Sequence, residues 1–317
     1  MEARNIIIDC DTGVDDALAL LLALRSPAFN VLGITNVAGN VRLNKVIRNT
    51  LVVVEHSGKQ VPVYPGAYRP LVATGETAEY AHGSDGLGDV GFPEPGITSS
   101  QVHAVDFLVD TFLNATEPID LITLAPLTNI ALAIEKEPRL EERINSLVMM
   151  AGGINAGNTT AAAEFNVIVD PEAADIVFSS RIPRKTMVAL DPILQGGGIY
   201  PEDVDSLEAA DKPWCQMAAK LLRMQLERFL KFTGQALPVS PPDLLAMGVA
   251  LDPTIAKAEM MHVVVETAGT YTRGMTVVDK RPFRNVFRAA PEPNIEVVLS
   301  VDNARYRQLV LNTWLSE

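Results

Sequence analysis

The chain predicts an α/β protein built on an open, mostly parallel, doubly wound sheet, with additional C-terminal helices and a small edge hairpin. Strand-like apolar runs alternate with helix-period runs through the first 170 residues or so, the pattern of strands joined by crossover helices. The strand-like runs are apolar throughout, as expected when helices cover both faces. No linker, repeat or low-complexity segment interrupts the chain, which reads as one domain over residues 1–317.

The elements follow in order. "NIIIDC" is a strand, and a helix starts at about Asp16. "NVLGITNVAG" is the next strand, followed by an amphipathic helix from Leu43 to His56 and a short strand in "VPVYPGA". Residues 68–98 form a polar, glycine-rich loop whose composition permits a lid. A helix near Ser100 to Asn114 precedes the strand "PIDLITLAP"; "LTNIALAIEK" is helical and "SLVMMAGG" a buried strand. Beyond Asp170 the pattern loosens. "TMVAL" is a strand, Trp214 to Thr233 a long helix with an apolar stripe, and Asn303 to Leu315 a closing helix. "MHVVVET" and "TVVD" read as a hairpin added at a sheet edge.

A net charge of −13 argues against nucleic acid as a partner, since phosphate contacts need clustered Lys and Arg. Cys10 and Cys215 form no disulfide framework, and "RNIIID" carries no signal-peptide pattern, so a reducing, cytoplasmic setting is expected. The longest apolar run, Ala17 to Leu24, is far short of a membrane span.

Four carboxylates, Asp9, Asp11, Asp15 and Asp16, fall within eight residues at the seam between the first strand and its helix. In open α/β sheets ligands bind at the carboxyl ends of the strands, so all four lie where sites are built. One or two would read as an acidic helix cap. Four repel one another unless a cation compensates, and a hard divalent ion with oxygen ligands is the natural solution. Named motifs fail here. An EF-hand starting at Asp9 lacks its Asp or Asn at Gly13, its Gly at Val14 and its Glu at Leu20. "GGINAGNT" copies Walker A spacing with Asn158 in place of the phosphate-binding Lys. A Mg²⁺ phosphatase of the haloacid-dehalogenase type, with Asp9 as nucleophile, would want Thr or Val where Gly13 stands.

"DCDTGVDDALAL" resembles the N-terminal signature of the inosine–uridine nucleoside hydrolases, with Thr12 where that motif usually has Pro. "NVAGN", "HGSDGLG", "TLAPLTNIALA", "AGGINAGNTTAAAEFNVIVDPEAADIVF" and "DLLAMGVALDP" follow in the family's order. The resemblance implies a Rossmann-like nucleoside hydrolase fold, a Ca²⁺ cofactor, a ribonucleoside substrate and a homodimer or homotetramer. It implies Asp11, Asp16, Asp243 and the Leu124 carbonyl as metal ligands, with a water and two ribose hydroxyls completing the shell. Asp11 would be the general base, and Asn40 would orient Asp11 or the water. Asp15, Asn158, Glu164 and Asn166 would hold the ribose, with Phe165 as a wall of the pocket and Asp9 structural.

Cleaving an N-glycosidic bond passes through an oxocarbenium-like ribosyl cation, which nearby carboxylates and amide oxygens favour. The plain alternatives are that Asn40 and Asn158, each after a glycine, are turn residues tolerating positive φ. Asp170, before Pro171, reads as a helix cap, and Asp252, before Pro253, as structural. The resemblance breaks at the leaving group. One subgroup has a proton-donating His before the last Asp ligand; here Pro242 precedes Asp243, and no His lies between 104 and 261. His82, in the "HG" block, is the histidine expected at the site. Activation otherwise rests on the helix around Arg223, Gln225, Arg228, Phe229 and Phe232, or on stacking of the base. Purines take a ring proton readily, so purine ribosides are the expected preference. The missing acid also admits a catalytically impaired ribose- or nucleoside-binding homologue.

Overall fold

The computed structural model describes residues 3–195, 198–235, 237–281, 289 and 291–316. Its strands are β1 (Arg4–Cys10), β2 (Phe29–Asn36), β3 (Val63–Pro65), β4 (Ile119–Thr123), β5 (Ser146–Met150), β6 (Lys185–Val188), β7 (Ala256–Met261), β8 (Val263–Val265), β9 (Thr276–Val278) and β10 (Ile295–Val301). Eight of them form one sheet in the order β3-β2-β1-β4-β5-β6-β10-β7, parallel except for β7, which runs antiparallel to β10. The chain moves outward from β1 through β2 to β3, then returns to β4 on the other side of β1. The carboxyl ends of β1 and β4 therefore flank the topological switch point, where open sheets bind ligands.

The helices are α1 (Val14–Arg25), α2 (Leu43–Ser57), α3 (Glu79–His82), α4 (Ala104–Asn114), α5 (Thr128–Lys136), α6 (Phe165–Val169), α7 (Pro171–Ser179), α8 (Leu190–Leu194), α9 (Pro201–Ala209), α10 (Pro213–Thr233), α11 (Pro242–Leu251) and α12 (Asn303–Leu315). β1 serves both faces of the sheet. Ile6, Ile8 and Cys10 enter the core beneath α1, α2, α10 and α11, while Ile7 enters the core beneath α4, α5 and α7. Alternation of buried side chains across a pleat requires just such two-sided covering. α1 is buried from Val14 to Leu24, which explains why "ALALLLAL" is apolar on every side of the helix. Its first turn is thereby fixed at the switch point, with Asp15 and Asp16 inside the protein.

The predicted edge hairpin is divided. Met261 ends β7, the true edge strand, and after His262 the chain enters β8, which pairs only with β9 in a separate two-stranded sheet against α7. Among the described residues no helix is long and apolar enough to cross a membrane.

Candidate active site

The site begins in the turn between β1 and α1. Asp16 folds back over this turn, its Oδ1 accepting the Asp11 N–H at 3.2 Å and its Oδ2 the Gly13 N–H at 2.8 Å. This is the reciprocal half of a capping box, in which an acidic third residue satisfies free amides before the helix. From the loop after β2, the Asn40 N–H donates to Asp11 Oδ2 at 2.6 Å and the Asn40 side-chain amide to Asp16 Oδ2 at 2.9 Å. Gly39 makes this approach possible, since a Cβ there would stand 2.0 Å from Asp11 Oδ2. Asp243 enters from the first turn of α11, so two helix N-termini converge on the acidic knot.

One carboxylate oxygen each from Asp15, Asp16 and Asp243 lie within 4.8 Å of one another, all three residues buried. Asp16 is tied to Asp11 through the Asp11 N–H and through Asn40, which donates to both carboxylates. Burial, then the charge of Asp16, pushes the Asp11 carboxyl well above the usual range. Burial, then Asp15 and Asp16, does the same to Asp243; Asp16 is pushed up to about 7 by burial and Asp15. Asp11 Oδ1 and Asp15 Oδ1 are buried without a hydrogen-bond partner. Orphaned oxygens on mutually repelling buried carboxylates are what a hard cation would satisfy, so the donor set fits a divalent metal. Asp15 stands in the tightest trio alongside the predicted ligands Asp16 and Asp243, and Asp11 meets that trio through Asp16.

Asp9 is not part of this opening. Its Oδ1 accepts from Thr35 Oγ1 at 2.5 Å and Asn129 Nδ2 at 2.8 Å, and it lines no wall of the cavity. A carboxylate so enclosed stiffens β1 against its neighbours and offers no nucleophile, which removes the basis of the phosphatase reading.

A cavity of about 390 Å³ opens above the knot, lined at its floor by Asp15, Asn40, Leu124, Asn158, Glu164, Asn166 and Asp243. Glu164 is the N-cap of α6. Its Oε1 accepts the Asn166 N–H at 2.9 Å, and its Oε2 the N–H groups of Gly152 at 2.8 Å and Val167 at 3.3 Å. Asn166 donates to the carbonyls of Leu124 at 3.1 Å and Met150 at 3.0 Å. The predicted Leu124 ligand thus already receives one donor and has a second lone pair free to share. Asn158 Oδ1 accepts the Phe165 N–H at 2.9 Å, and Phe165 packs with Ala78 and Val169 as a wall. Among the described residues Asp89 alone, apart from glycines, has positive φ. Asn40 and Asn158 are therefore not there to tolerate a left-handed turn.

The upper wall is mostly apolar, formed by Tyr80 and Ala81 of α3, Phe229 of α10, Ile193 and Val239, with Gln225 and Arg228 among them. Gln225 Oε1 is buried and unpartnered. His82 is the one described histidine lining the cavity. Its Nδ1 accepts the Val14 N–H at 3.1 Å and lies 3.6 Å from Asp15 Oδ1. The shorter, aligned contact with Val14 decides the tautomer. Nδ1 is the acceptor, so the proton sits on Nε2. Burial, opposed by Asp15, lowers its pKa and keeps the ring neutral. The remaining histidines are structural: His56 on the Val52 carbonyl, His103 as the cap of α4 and His262 on the Glu292 carbonyl. Asp170 is a cap as expected, Asp252, expected to be structural, caps the turn at Pro253–Ile255, and Trp214 donates to the Trp314 carbonyl, away from the site.

Sequence reasoning did not find Thr276 of β9. Its hydroxyl accepts the Gly153 N–H at 2.9 Å and donates to the Gly153 carbonyl at 2.6 Å, bracing the turn before the loop that carries Asn158. No local motif marks a lone threonine more than a hundred residues away from its partner.

Comparison with known proteins follows the same outline. The family described as "Inosine-uridine preferring nucleoside hydrolase" matches residues 6–308. A pyrimidine-specific ribonucleoside hydrolase RihA of Photobacterium profundum is 40% identical over 281 residues, covering 88% of this chain and 89% of that protein. The RihA of Citrobacter koseri is 37% identical over 313 residues, covering 97% of each. The solved purine-preferring ribonucleoside hydrolase from Gardnerella vaginalis superimposes with a TM-score of 0.89 at 29% identity, covering 98% of each chain.

Proposed function

This chain belongs to the inosine–uridine preferring nucleoside hydrolase family and is a nucleoside hydrolase, and on that premise we propose that it cleaves pyrimidine ribonucleosides to ribose and free base with the help of Ca²⁺. The observation that carries the reading is the buried carboxylate knot opening into a cavity with a polar floor and an apolar upper wall.

Asp11, Asp16, Asp243 and the Leu124 carbonyl would hold the ion, with Asp15 beside it; an all-oxygen set of this kind suits Ca²⁺. When bound, the ion supplies charge that offsets the carboxylates and acidifies a neighbouring water. Asp11, steadied by the Asn40 N–H on Oδ2, would accept a proton from the attacking water as general base. Asp15, Asn158, Glu164 and Asn166 hold the ribose hydroxyls, turning sugar binding into placement of the anomeric carbon. These same oxygens favour positive charge developing on the ring.

With Pro242 in the place of a proton-donating His, the departing base relies on the upper wall. His82 offers Nε2–H as a hydrogen-bond donor. Gln225, whose amide can turn either way, matches the donor and acceptor edges of uracil or cytosine. Identities of 40% and 37% to enzymes named pyrimidine-specific, against 29% to a purine-preferring one, support pyrimidines over the purine preference expected from leaving-group chemistry.

The test is base release from uridine, cytidine, inosine, guanosine and adenosine, with and without chelator, against Asp11→Ala. Uridine and cytidine should be the fastest substrates, activity should vanish with chelator, and Ca²⁺ should restore it. Inosine as the fastest substrate would overturn the pyrimidine reading. Nucleoside binding without base release would return the ribose-binding protein that Pro242 brought into view.

A further inference from the structure

The turn that carries His82 is held from across the cavity. α3 is only Glu79–His82, too short to be stable alone. Continuing the helix would place the amides of Ser84 and Asp85 on the carbonyls of Tyr80 and Ala81. Those amides instead donate to the Asp89 carboxylate, at 2.9 and 3.0 Å. The Glu79 carbonyl receives Gly83 at 2.9 Å and the His82 carbonyl receives Gly88 at 2.7 Å. What remains at this helix end is the pair of carbonyls on Tyr80 and Ala81. Arg228 takes both: Nη1 donates to the Ala81 carbonyl at 2.6 Å and Nη2 to the Tyr80 carbonyl. A guanidinium fork at a helix C-terminus gains both hydrogen bonds and a favourable dipole. Beyond α3, His82 meets the Val14 amide at 3.1 Å, and Gly13 leaves room for the ring, since a Cβ there would lie 2.4 Å from Nδ1. A continuous chain of contacts thus runs from α10, which carries Gln225 and Phe229 into the cavity, to the first turn of α1.

We propose that Arg228 is a positioning residue for departure of the base: by gripping the two carbonyls of α3 it holds His82 with Nε2–H turned to the leaving group. The inference rests on the reading of His82 as the donor to that group. A donor displaced by an ångström loses much of its effect, because a hydrogen bond needs both distance and alignment.

The experiment compares uridine with p-nitrophenyl β-D-ribofuranoside, whose phenolate departs without a donor. Wild type, Arg228→Met, Arg228→Lys, His82→Asn and the double variant Arg228→Met/His82→Asn are measured for kcat and KM on both. Arg228→Met should cost roughly tenfold more in kcat on uridine than on the nitrophenyl riboside. Arg228→Lys, able to reach one carbonyl, should recover part of the loss. In the His82→Asn background, Arg228→Met should add less than about threefold, since both act through one group. Equal losses on the two substrates, or additive losses in the double variant, overturn the proposal. If His82→Asn leaves uridine turnover intact, the reading of His82 falls and the latch with it. If His82→Asn is slow and Arg228→Met is not, the latch alone falls. Thermal melting reports whether each variant folds, with Arg228→Gln as substitute should the Met variant fail.

Discussion

The floor and the upper wall of the cavity are built by opposite means. The floor and the carboxylates beneath it are over-determined: Asp11, Asp16, Asn40, Glu164 and Asn166 are buried, backbone groups fix Asp11, Asp16, Glu164 and Asn166, and Asn40 is tied to the carboxylates of Asp11 and Asp16. The upper wall is more open to solvent. Tyr80 is 65% exposed and Phe229 47%, and the wall's polar members number little more than His82, Gln225 and Arg228. On the proposed function, the difference follows the substrate. Every ribonucleoside presents the same diol and anomeric carbon, so the groups that do chemistry can be rigid. The base varies, and the surface that meets it can change without disturbing the reaction. This accounts for relatives of one outline bearing pyrimidine-specific and purine-preferring names.

If the floor is the invariant chemical centre, its loss should be the largest effect. Asp11→Asn should lower kcat by roughly 10³-fold or more, on purine and pyrimidine nucleosides alike. The same variant should melt at a higher temperature than wild type in chelator, because it removes one of several buried carboxylates that repel one another. A base-dependent loss at Asp11, or a lower melting point in chelator, would break the division.

Next in size is the substrate's own change at the floor. 2′-Deoxyuridine lacks a hydroxyl that the metal and the polar residues would share, and sites built to bond a hydroxyl reject its absence strongly. A fall in kcat/KM of roughly 10²- to 10⁴-fold relative to uridine is expected. Comparable turnover of the two would mean that the floor does not grip the diol.

The same division marks what the sequence revealed. β1, α10 and α12 lie within one or two residues of their predicted bounds, because apolar period and caps are local signals. β7 was missed: "AKAEMM" is an edge strand whose burial alternates weakly, and nothing local separates it from the hairpin that follows. β10 and α9 were missed too, although "IEVVLSV" and the Pro-initiated "PEDVDSLEA" carried usable signals. In the site, Asp11, Asp15 and Asp16 announced themselves by crowding, with Asp9 crowded among them yet outside the site, whereas Asp243 needed the family resemblance to be joined to them. The upper wall was the least legible part. Arg228 meets partners 147 and 148 residues away, and those partners are backbone carbonyls, which any sequence could supply.

A smaller effect should come from the wall itself. Gln225→Leu keeps the volume and removes an amide whose oxygen is buried without a partner. It should lower kcat/KM for uridine by about tenfold, the worth of one good hydrogen bond, while moving inosine less. The uridine-to-inosine ratio is the measurement. An unchanged ratio would place base selection elsewhere on the wall.

The smallest effect concerns the stability cost of a rigid floor. Burial pushes the Glu164 carboxyl up to about 7, against the three amides that hold its charged form. In the unfolded chain the same group titrates near 4.5. Between those values the folded protein binds the extra proton, so this residue's contribution is fully present below about pH 4.5 and is lost as pH rises through about 7. Glu164→Gln has no such term. Its melting temperature relative to wild type should therefore climb from pH 5 to pH 8, by a few degrees at most on the scale of about 1–3 kcal/mol. Loss of the α6 cap lowers the variant's midpoint at every pH but leaves this slope intact. Gln225→Leu carries no titrating group and should show no slope relative to wild type. A flat difference for Glu164→Gln would mean that its amides fully offset burial, and that holding this cavity-lining carboxylate costs the fold nothing near neutral pH.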